Sequence, residues 1–486
     1  MKFKLIANLL GRILLVEAGL LLLPLGVALI YGEESYKAFL ITIAIMLPFG
    51  LIFGLRSPKD STLYARDGFT AVALCWIVLA LFGCLPFYIS GQIPNFIDAF
   101  FEMVSGFTTT GSTILTDVEA MDYGMLFWRS FSHWVGGMGV LVFMMVVLPT
   151  SDGHGMHLLR AEMPGHAPGK LVSRMSDTSR ILYGIYLVMT LVEIAMLCAG
   201  GMSLFDSCIH SFGSAGTGGF SNKALSVGYY DNPYFDVVIS VFMLLFGVNF
   251  NLYFYILIGR FKDAFCSEEM RTYFGIVGVS VLAVAANIYK IYGSVWQSLR
   301  HSLFQVSTII TTTGYATTDF NEWPSFSKAV LVLLMFIGAC AGSTAGGFKI
   351  SRLVIAAKSF AAELRRMLHP SAVSTVRFEG KPLDRKLVQS VQLYLTIYVA
   401  IFSISVLLLS LDGYDLVSTF TAVASCFNNI GPGLGICGPM GSFAPFSQAG
   451  KLLLCFDMLA GRLEIYPMLL LFAPYHRRAL KSTETV

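Results

Sequence analysis

The chain has 486 residues, of which 55% are hydrophobic and only 13% are charged, and its mean hydropathy is +0.70. This composition excludes an ordinary soluble globular protein and indicates a polytopic membrane protein. The net charge of +3 is too small to indicate a partner, so the placement of the charges carries the information.

Two apolar segments, about 8–31 and 36–55, come first in the chain. Basic residues precede the first segment, as in a secretory signal, but Arg12 and Glu17 interrupt it and no clear cleavage site follows. We therefore predict a retained anchor helix, followed by a second membrane-spanning helix.

Four pairs of apolar segments follow, which brings the predicted number of membrane crossings to ten. The second member of the third pair is interrupted by small residues. The pairs cover residues 68–90 and 127–149, 181–201 and 235–259, 273–292 and 328–367, and 390–411 and 447–474.

Within each pair, a short apolar stretch is followed by a glycine-centred loop. The stretches are Phe96 to Phe107, Leu204 to Ala215, Val295 to Ile310, and Leu416 to Phe427. They are too short to cross a bilayer, so we predict half-helices that enter from outside and end at mid-depth. The loops read Thr108-Thr109-Thr110-Gly111-Ser112, Gly216-Thr217-Gly218-Gly219-Phe220, Thr311-Thr312-Thr313-Gly314-Tyr315, and Asn429-Ile430-Gly431-Pro432-Gly433.

The spacing of these loops indicates a fourfold repeat. If Gly111, Gly218, Gly314 and Gly431 are the repeating points, the intervals are 107, 96 and 117 residues, and each interval accommodates two crossing helices. Backbone without regular hydrogen bonds is tolerated at membrane depth only where it is buried in protein or lines water. The four loops therefore predict one shared pore.

The predicted pore suits a dehydrated cation. Each half-helix directs its carbonyl end, which carries a partial negative charge, toward the membrane centre. Backbone carbonyls can replace the water shell of a potassium-sized ion where glycine permits unusual φ and ψ angles, and threonine hydroxyls add oxygens at the cytoplasmic end. A single Thr-Thr-Gly is equally well an ordinary turn, but four in register are not. The predicted ion ligands are Thr109, Thr110, Gly111, Thr217, Gly218, Gly219, Thr312, Thr313, Gly314, Asn429, Ile430 and Gly431.

The charges predict the orientation in the membrane. Basic residues concentrate in every second connection, for example Arg160 to Arg180, Arg260 to Arg271 and Arg365 to Lys386. The other connections carry acidic residues instead, such as Asp117 and Asp319. Both termini are therefore predicted to be cytoplasmic, with all four loops in the outer half of the membrane below an acidic outer vestibule that concentrates cations.

Further motifs accompany the loops. They are Trp128-Arg129-Ser130, Trp134-Val135-Gly136-Gly137-Met138-Gly139, Gly346-Gly347-Phe348-Lys349 and Gly461-Arg462-Leu463-Glu464. Taken with the four loops, they make essentially the whole chain resemble a TrkH-type subunit of the Trk/Ktr/HKT potassium transporter superfamily. The resemblance implies an all-α polytopic membrane protein with two N-terminal helices plus four helix–pore helix–filter–helix repeats around a pseudo-fourfold pore.

The resemblance also implies potassium uptake across the bacterial inner membrane, with the potassium ion as transported substrate and no organic cofactor. The implied partners are a second copy of the chain, in a homodimer, and a cytoplasmic TrkA-type nucleotide-binding ring; no nucleic acid is expected. The predicted units are 1–66 (N-terminal helices), 67–150 (repeat 1), 151–180 (cytoplasmic loop), 181–272 (repeat 2), 273–368 (repeat 3, with a gating loop at 338–347), 369–388 (cytoplasmic linker) and 389–486 (repeat 4 and tail).

Two features bear on selectivity. Glycine at all four central positions resembles the potassium-selective branch of the superfamily, in which a serine in the first loop would instead suggest sodium permeation. The fourth loop departs from the Thr-Gly pattern because Ile430 precedes Gly431, so the filter oxygens are not expected to be equivalent in the four repeats.

The run from Gly338 to Gly347 is too rich in glycine and small residues to hold a straight helix, although it lies at membrane depth. One interpretation is close helix packing through small residues. We favour an unwound loop, because in the resembling family this loop lies across the permeation path and acts as a gate. The predicted gate residues are Gly338, Gly342, Ser343, Thr344, Gly346, Gly347 and Arg462.

Arg462 lies within the apolar run 452–472, where a charge at a helix centre costs about 2.5–3.5 kcal/mol on insertion scales. It must therefore face protein or water. Asp457 and Glu464 are not cleanly on the same helical face, so we expect its partner on another helix. In the family the matching arginine projects into the pore, and we predict that Arg462 acts with the loop as an electrostatic barrier.

Other residues receive structural assignments. His133 and His210 are predicted packing residues, Arg129 is expected to meet a carbonyl or an acid, and Gly136 to Gly139 is a predicted helix-packing surface. The nine cysteines form no metal motif, although Cys426 and Cys437, which flank the fourth loop, can pair in an oxidising compartment.

Several functional alternatives stay open. The segment 165–170 lacks phosphate-loop spacing, so any regulatory nucleotide must bind to a partner protein. The basic segments near Arg160 to Arg180 and Arg365 to Arg385 are either the docking surface for this partner or solvated loops that only follow the positive-inside rule. An intramembrane enzyme is not supported, because we find no convergent nucleophile and base. A channel and a proton- or sodium-coupled symporter are not distinguished, since Glu102, Glu193 and Asp457 can carry protons or support structure.

Overall fold

The computed structural model describes residues 3–55, 65–139, 175–370 and 375–472. Within these ranges the protein is mostly helical, as expected where the bilayer leaves backbone groups only internal partners. The helices are α1 Phe3–Leu20, α2 Leu22–Tyr31, α3 Tyr36–Gly54, α4 Ala65–Gly83, α5 Leu85–Ile89, α6 Phe96–Phe107, α7 Tyr123–Gly137, α8 Met175–Ala199, α9 Leu204–Gly216, α10 Pro233–Phe246, α11 Phe250–Leu257, α12 Phe261–Phe265, α13 Glu268–Tyr292, α14 Val295–Ile310, α15 Ser325–Ile337, α16 Ile350–Leu368, α17 Arg385–Leu409, α18 Leu416–Asn428, α19 Gln448–Arg462 and α20 Tyr466–Phe472.

Shorter elements complete the described fold. Single 3₁₀ turns cover Ser226–Tyr230, Phe320–Glu322, Ser410–Asp412 and Gly435–Cys437. Two strands, β1 Arg377–Phe378 and β2 Lys381–Pro382, pair antiparallel in one small hairpin.

Six helices in the described ranges are long and apolar enough to cross a membrane, or seven if the bent pair α10 and α11 counts as one span. They are the two leading spans and the first helix of each predicted pair. Large apolar side chains such as Ile30, Val279 and Leu407 are 82%, 71% and 69% exposed on their outer faces. Such a surface is stable only against lipid or another apolar partner, so the chain is a multi-pass membrane protein.

Among the described residues the second segment is broken in three of the four pairs, and only the break in the third pair was predicted. In the first pair α7 ends at Gly137, and residues 140–149 of the predicted segment lie outside the described ranges. In the second pair α10 and α11 meet at an angle of 91°. In the third a loop separates α15 from α16, and in the fourth residues 463–465 separate α19 from α20.

The four predicted half-helices are present as α6, α9, α14 and α18. Two end where they were predicted to end, and α9 and α18 each extend one residue further. Each begins at a polar side chain that accepts a hydrogen bond from a backbone N–H of the first turn, which fixes the helix start. These capping residues are Asn95, Ser203, Ser294 and Asp415.

Candidate functional site

The four loops that follow the half-helices share one backbone conformation. In each loop two alternate residues have positive φ, and the second of them is always glycine. The pairs are Thr109 (55°) and Gly111 (81°), Thr217 (56°) and Gly219 (74°), Thr312 (57°) and Gly314 (90°), and Asn429 (57°) and Gly431 (103°). Because positive φ is costly for residues with a side chain, its recurrence at four matching positions marks a functional constraint on the backbone.

This pattern corrects the predicted register of the second loop. The residue that matches Gly111, Gly314 and Gly431 is Gly219, and not Gly218 as the spacing was taken to indicate. Gly218 instead occupies the intervening position, between the two residues of positive φ. Because Gly218 and Gly219 are adjacent and either can adopt positive φ, nothing in the sequence distinguished the two registers.

The loops form a closed ring in which each one abuts the next. A Cβ added to Gly111 would lie 2.0 Å from the carbonyl oxygen of Gly218, and one added to Gly219 would lie 2.1 Å from that of Thr313. A Cβ on Gly314 would lie 2.0 Å from the carbonyl oxygen of Ile430, and one on Gly431 would lie 2.9 Å from that of Thr110. Only glycine fits at these contacts, and the structure brings all four predicted loops together.

The first residue of positive φ in each loop carries a side-chain oxygen. These residues, Thr109, Thr217, Thr312 and Asn429, are all buried. The hydroxyl of Thr109 and the amide oxygen of Asn429 have no hydrogen-bond partner among the described residues, while the hydroxyl of Thr312 accepts from the N–H of Gly346 at 2.7 Å. Buried oxygens of this kind normally need a partner, which a cation can supply.

A cavity of about 350 Å³ opens on the ring and is lined by its four glycines, Gly111, Gly219, Gly314 and Gly431. Among the described residues that line it, the charged side chains are Arg129 and Lys223. The expectation of acidic walls is therefore wrong for this cavity. The carboxylate of Glu102 lies behind the wall, where it accepts a hydrogen bond from Arg129.

On the other side of the ring, residues 338–349 form an unwound loop between α15 and α16, here called the gate loop. Gly338, Gly342 and Gly347 have φ of 72°, 73° and 75°, which rules out a continuous helix packed through small residues. Besides the bond from Gly346 to Thr312, a Cβ on Gly346 would lie 2.3 Å from the carbonyl oxygen of Asn428. The gate loop thus packs directly against the third and fourth loops.

Arg462 clamps the gate loop to the first repeat. Its guanidinium donates to the carbonyl oxygen of Thr344 at 2.7 Å and to those of Gly136 and Gly137 at 2.5 and 2.6 Å. The expectation of a partner on another element is confirmed, although the partners named here are carbonyls. The expected mid-helix position is wrong, because α19 ends at Arg462.

The acids close to Arg462 in sequence have other partners. Glu464 pairs with Arg352 at 2.5 Å, and Asp457 accepts a hydrogen bond from the hydroxyl of Ser405 at 2.7 Å. Arg352 lies on α16 and Ser405 on α17, so both acids contact elements that are distant in the sequence.

The sequence did not predict which partners Arg129 would have. Its guanidinium donates to Glu102 at 2.6 Å and to the carbonyl oxygen of Ser221 at 3.0 Å, so it meets both an acid and a carbonyl. Glu102 also accepts from the hydroxyl of Thr113 and from the N–H of Ile114, each at 2.9 Å. Through Thr113 and Ile114 on one side and Ser221 on the other, this buried ion pair connects the segment after the first loop with the segment after the second loop.

We expect Glu102→Gln to destabilise the protein by about 3–5 kcal/mol, because it leaves the guanidinium of Arg129 buried without a counter-charge. The measurement is the thermal unfolding midpoint of the purified protein in detergent. Glu34→Gln is the control, since Glu34 belongs to an exposed pair with Lys37 and should leave the midpoint unchanged. Equal midpoints for Glu102→Gln and the unmodified protein would show that the buried pair is not structural.

The remaining structural assignments are confirmed. His133 hydrogen-bonds the carbonyl oxygen of Gly106 at 2.7 Å, and His210 that of Asp206 at 2.8 Å. A Cβ on Gly136 would lie 1.9 Å from the carbonyl oxygen of Phe107, as expected of a packing surface. The structure has no disulfide between Cys426 and Cys437, which are both buried free thiols.

The basic segments proposed for docking are described only in part. Residues 160–174, with the glycine-rich segment 165–170, lie outside the described ranges. Arg365, Arg366 and Arg385 are exposed at the ends of α16 and α17, so this part of the basic surface is accessible.

Comparison with known proteins adds independent information. The sequence model of the TrkH family, described as a cation transport protein, matches residues 35–479. The Trk system potassium uptake protein TrkH of Salmonella typhimurium is 36% identical over 481 residues, covering 98% of this chain and 99% of the relative. The Trk system potassium uptake protein TrkG of Escherichia coli K12 is 35% identical over 467 residues, covering 94% and 95%. The crystal structure of the potassium transporter TrkH from Vibrio parahaemolyticus matches with a TM-score of 0.88 and 34% identity, over 98% of this chain and 99% of that one.

Proposed function

Because the chain belongs to the TrkH family of cation transport proteins, we propose that it takes up potassium ions across the bacterial inner membrane. The family transports cations and does not consist of enzymes. The relatives named above are potassium uptake proteins, and the match spans nearly the whole of both chains.

The observation that carries the proposal is the closed ring of four loops with a shared backbone conformation. We assign the ring as a selectivity filter in which carbonyl oxygens replace the water shell of potassium. The carbonyl ends of α6, α9, α14 and α18 lead into the ring, and their partial negative charge favours a cation over an anion. The ligand set is Thr109, Thr110, Gly111, Thr217, Gly218, Gly219, Thr312, Thr313, Gly314, Asn429, Ile430 and Gly431.

The gate in this proposal is the gate loop together with Arg462. The loop packs beneath the ring through Gly346, and the clamp from Arg462 to Thr344 holds it there. A guanidinium at this depth also repels a cation that leaves the ring. The gate residues are Gly338, Gly342, Ser343, Thr344, Gly346, Gly347 and Arg462.

The proposed assembly is a homodimer regulated by a cytoplasmic TrkA-type nucleotide-binding ring, with both termini of the chain in the cytoplasm. The support is the Trk system to which the relatives belong and the exposed basic residues Arg365, Arg366 and Arg385. A basic surface attracts an acidic partner over about a Debye length, roughly 8 Å at physiological salt.

A coupled symporter with the same pore is the second candidate. Glu193 favours it, because its carboxylate is fully buried on α8, where the hydroxyl of Ser214 lies beside it. The other candidate acids, Glu102 and Asp457, have hydrogen-bond partners suited to structural roles.

Rubidium uptake into proteoliposomes separates these candidates. For a potassium channel we expect uptake down the rubidium gradient without any pH or sodium gradient, and sodium uptake at least about tenfold slower, since oxygen cages distinguish ions by size and hydration. Uptake that strictly requires a pH or sodium gradient would establish the symporter instead. Equal rates for sodium and rubidium would contradict the selectivity filter.

A further inference from the structure

The hairpin of β1 and β2 has an unusual turn. Its two central residues, Glu379 and Gly380, have φ of 50° and 74°, as in a type I′ turn. Asparagine, aspartate and glycine are favoured at the first position of this turn, whereas glutamate is not. A glutamate held in a disfavoured conformation indicates that its side chain has a specific task.

The carboxylate of Glu379 caps the start of α13. It accepts hydrogen bonds from the hydroxyl of Ser267 at 2.8 Å and from the N–H groups of Glu268 and Glu269 at 3.1 and 3.2 Å. The first N–H groups of a helix have no partner within the helix and carry partial positive charge, so a carboxylate is well suited to bind them. The hairpin therefore fixes the N-terminal end of α13.

The hairpin is also attached to α16, the helix that follows the gate loop. Phe378 is buried with Ile355 of α16 and Val391 of α17. Lys358 of α16 donates to the carbonyl oxygen of Arg377 at 2.9 Å and forms an ion pair with Glu268. Any displacement of the hairpin is thus transmitted to α13 and α16 together.

Glu269, in the first turn of α13, binds both the gate loop and the start of α16, the helix that follows it. One carboxylate oxygen accepts from the N–H of Ala341 at 2.7 Å, within the loop, and from the N–H of Ser351 at 3.1 Å, in the first turn of α16. The side chain is only 6% exposed. Hydrogen bonds to a buried carboxylate are stronger than those to a neutral group, so this contact holds the loop firmly.

We propose that Glu269 is a positioning residue that latches the gate loop beneath the ring, and that the hairpin, residues 377–382, sets this latch through Glu379. The proposal rests on the gate assigned above and adds a route by which the cytoplasmic face controls it. Displacing the hairpin removes the cap from α13, shifts Glu269 and releases Ala341 and Ser351.

Two variants test the latch. Glu269→Ala removes the acceptor itself, whereas Glu379→Asn improves the turn but shortens and neutralises the capping side chain. The matched control is Glu363→Gln, because Glu363 is exposed on the same face of the membrane and pairs with Arg366 of α16. All variants are made in the full chain and checked for monodispersity in detergent.

The primary readout is the rate at which N-ethylmaleimide alkylates Cys340, a buried thiol of the gate loop, measured by peptide mass spectrometry with the buried Cys455 as reference. We expect Glu269→Ala and Glu379→Asn each to accelerate alkylation of Cys340 at least about tenfold over Cys455, as expected if the loop opens. Rubidium flux in proteoliposomes should rise together with the alkylation rate of Cys340. The double variant should match Glu269→Ala in both measurements. Glu363→Gln should change neither the alkylation rate nor the flux.

Unchanged alkylation of Cys340 in either variant would overturn the latch. Alkylation does not require ion transport, so it tests the latch even if the unmodified protein shows no selective flux. Absence of selective flux would contradict the proposed function and not the latch. If Glu269→Ala does not fold, Glu379→Asn decides, because its substitution lies in an exposed turn.

Discussion

Arg462→Ala should raise rubidium flux by up to about 100-fold. The side chain donates to the carbonyl oxygens of Thr344, Gly136 and Gly137, and hydrogen bonds from a charged group contribute about 1.5–3 kcal/mol each. Only the bond to Thr344 reaches the gate loop, so its loss shifts the equilibrium between closed and open gate by about 1.5–3 kcal/mol, which is about 10- to 100-fold in population. Removing the charge also lowers the barrier to a leaving cation. The measurement is initial rubidium uptake into proteoliposomes at equal protein density.

Two controls separate the clamp from the charge. Arg462→Lys keeps the positive charge but cannot bridge three carbonyls with a planar fork, so it should give an intermediate flux. Arg366→Ala removes an exposed arginine near the C-terminal end of α16, which pairs with Glu363, and it should leave flux unchanged in vesicles that contain no partner protein. Flux of Arg462→Ala equal to that of the unmodified protein, at equal density, would remove Arg462 from the gate.

Gly111→Ala should reduce selective rubidium flux by at least about 100-fold. The new Cβ would lie 2.0 Å from the carbonyl oxygen of Gly218, so the first and second loops must separate and the ring must open. Displacement of a filter carbonyl by even about 1 Å removes an ion ligand, because coordination distances tolerate little change. Uptake of rubidium and sodium by the same vesicles would report both the lost rate and the lost discrimination.

Gly413→Ala is the matched control for this substitution. Gly413 has φ of 80°, against 81° for Gly111, but nothing lies within 4 Å of an added Cβ. Both variants therefore place a side chain at nearly the same positive φ, and only Gly111→Ala carries the clash. If the two variants lost flux equally, the effect would come from backbone strain and the ring contact would be irrelevant.

The half-helices were predictable because their signals are local. An apolar run too short to cross the bilayer and a following glycine loop together gave the bounds of α6 and α14 without error. The gate loop was predictable for the same reason, since its run of small residues cannot hold a helix.

The breaks in the second and fourth pairs were missed because their signals are tertiary. The break at residues 463–465 contains an improbable backbone conformation, because Ile465 has φ of 67°, which a β-branched side chain disfavours. The N–H of Ile465 instead donates to the carbonyl oxygen of Ala460 at 2.7 Å. Likewise, a Cβ on Gly247 would lie 2.6 Å from the hydroxyl of Tyr273, a constraint that sequence spacing does not contain.

The partners of charged residues were the least predictable part of the site. Local spacing argued against Asp457 and Glu464 as partners of Arg462. It contained nothing that pointed to the carbonyl oxygens of Gly136 and Gly137, which are more than 300 residues away in the chain. The latch formed by Glu269 was missed for the same reason, because Ala341 and Ser351 are 72 and 82 residues distant.

The most direct test of potassium binding at the ring is the anomalous scattering of rubidium in crystals of the protein. We predict a rubidium peak on the axis of the ring, among Gly111, Gly219, Gly314 and Gly431, and its loss in Gly111→Ala. Well-ordered loops at saturating rubidium, with no peak among these four residues, would contradict the assignment of the ring as the ion-binding site.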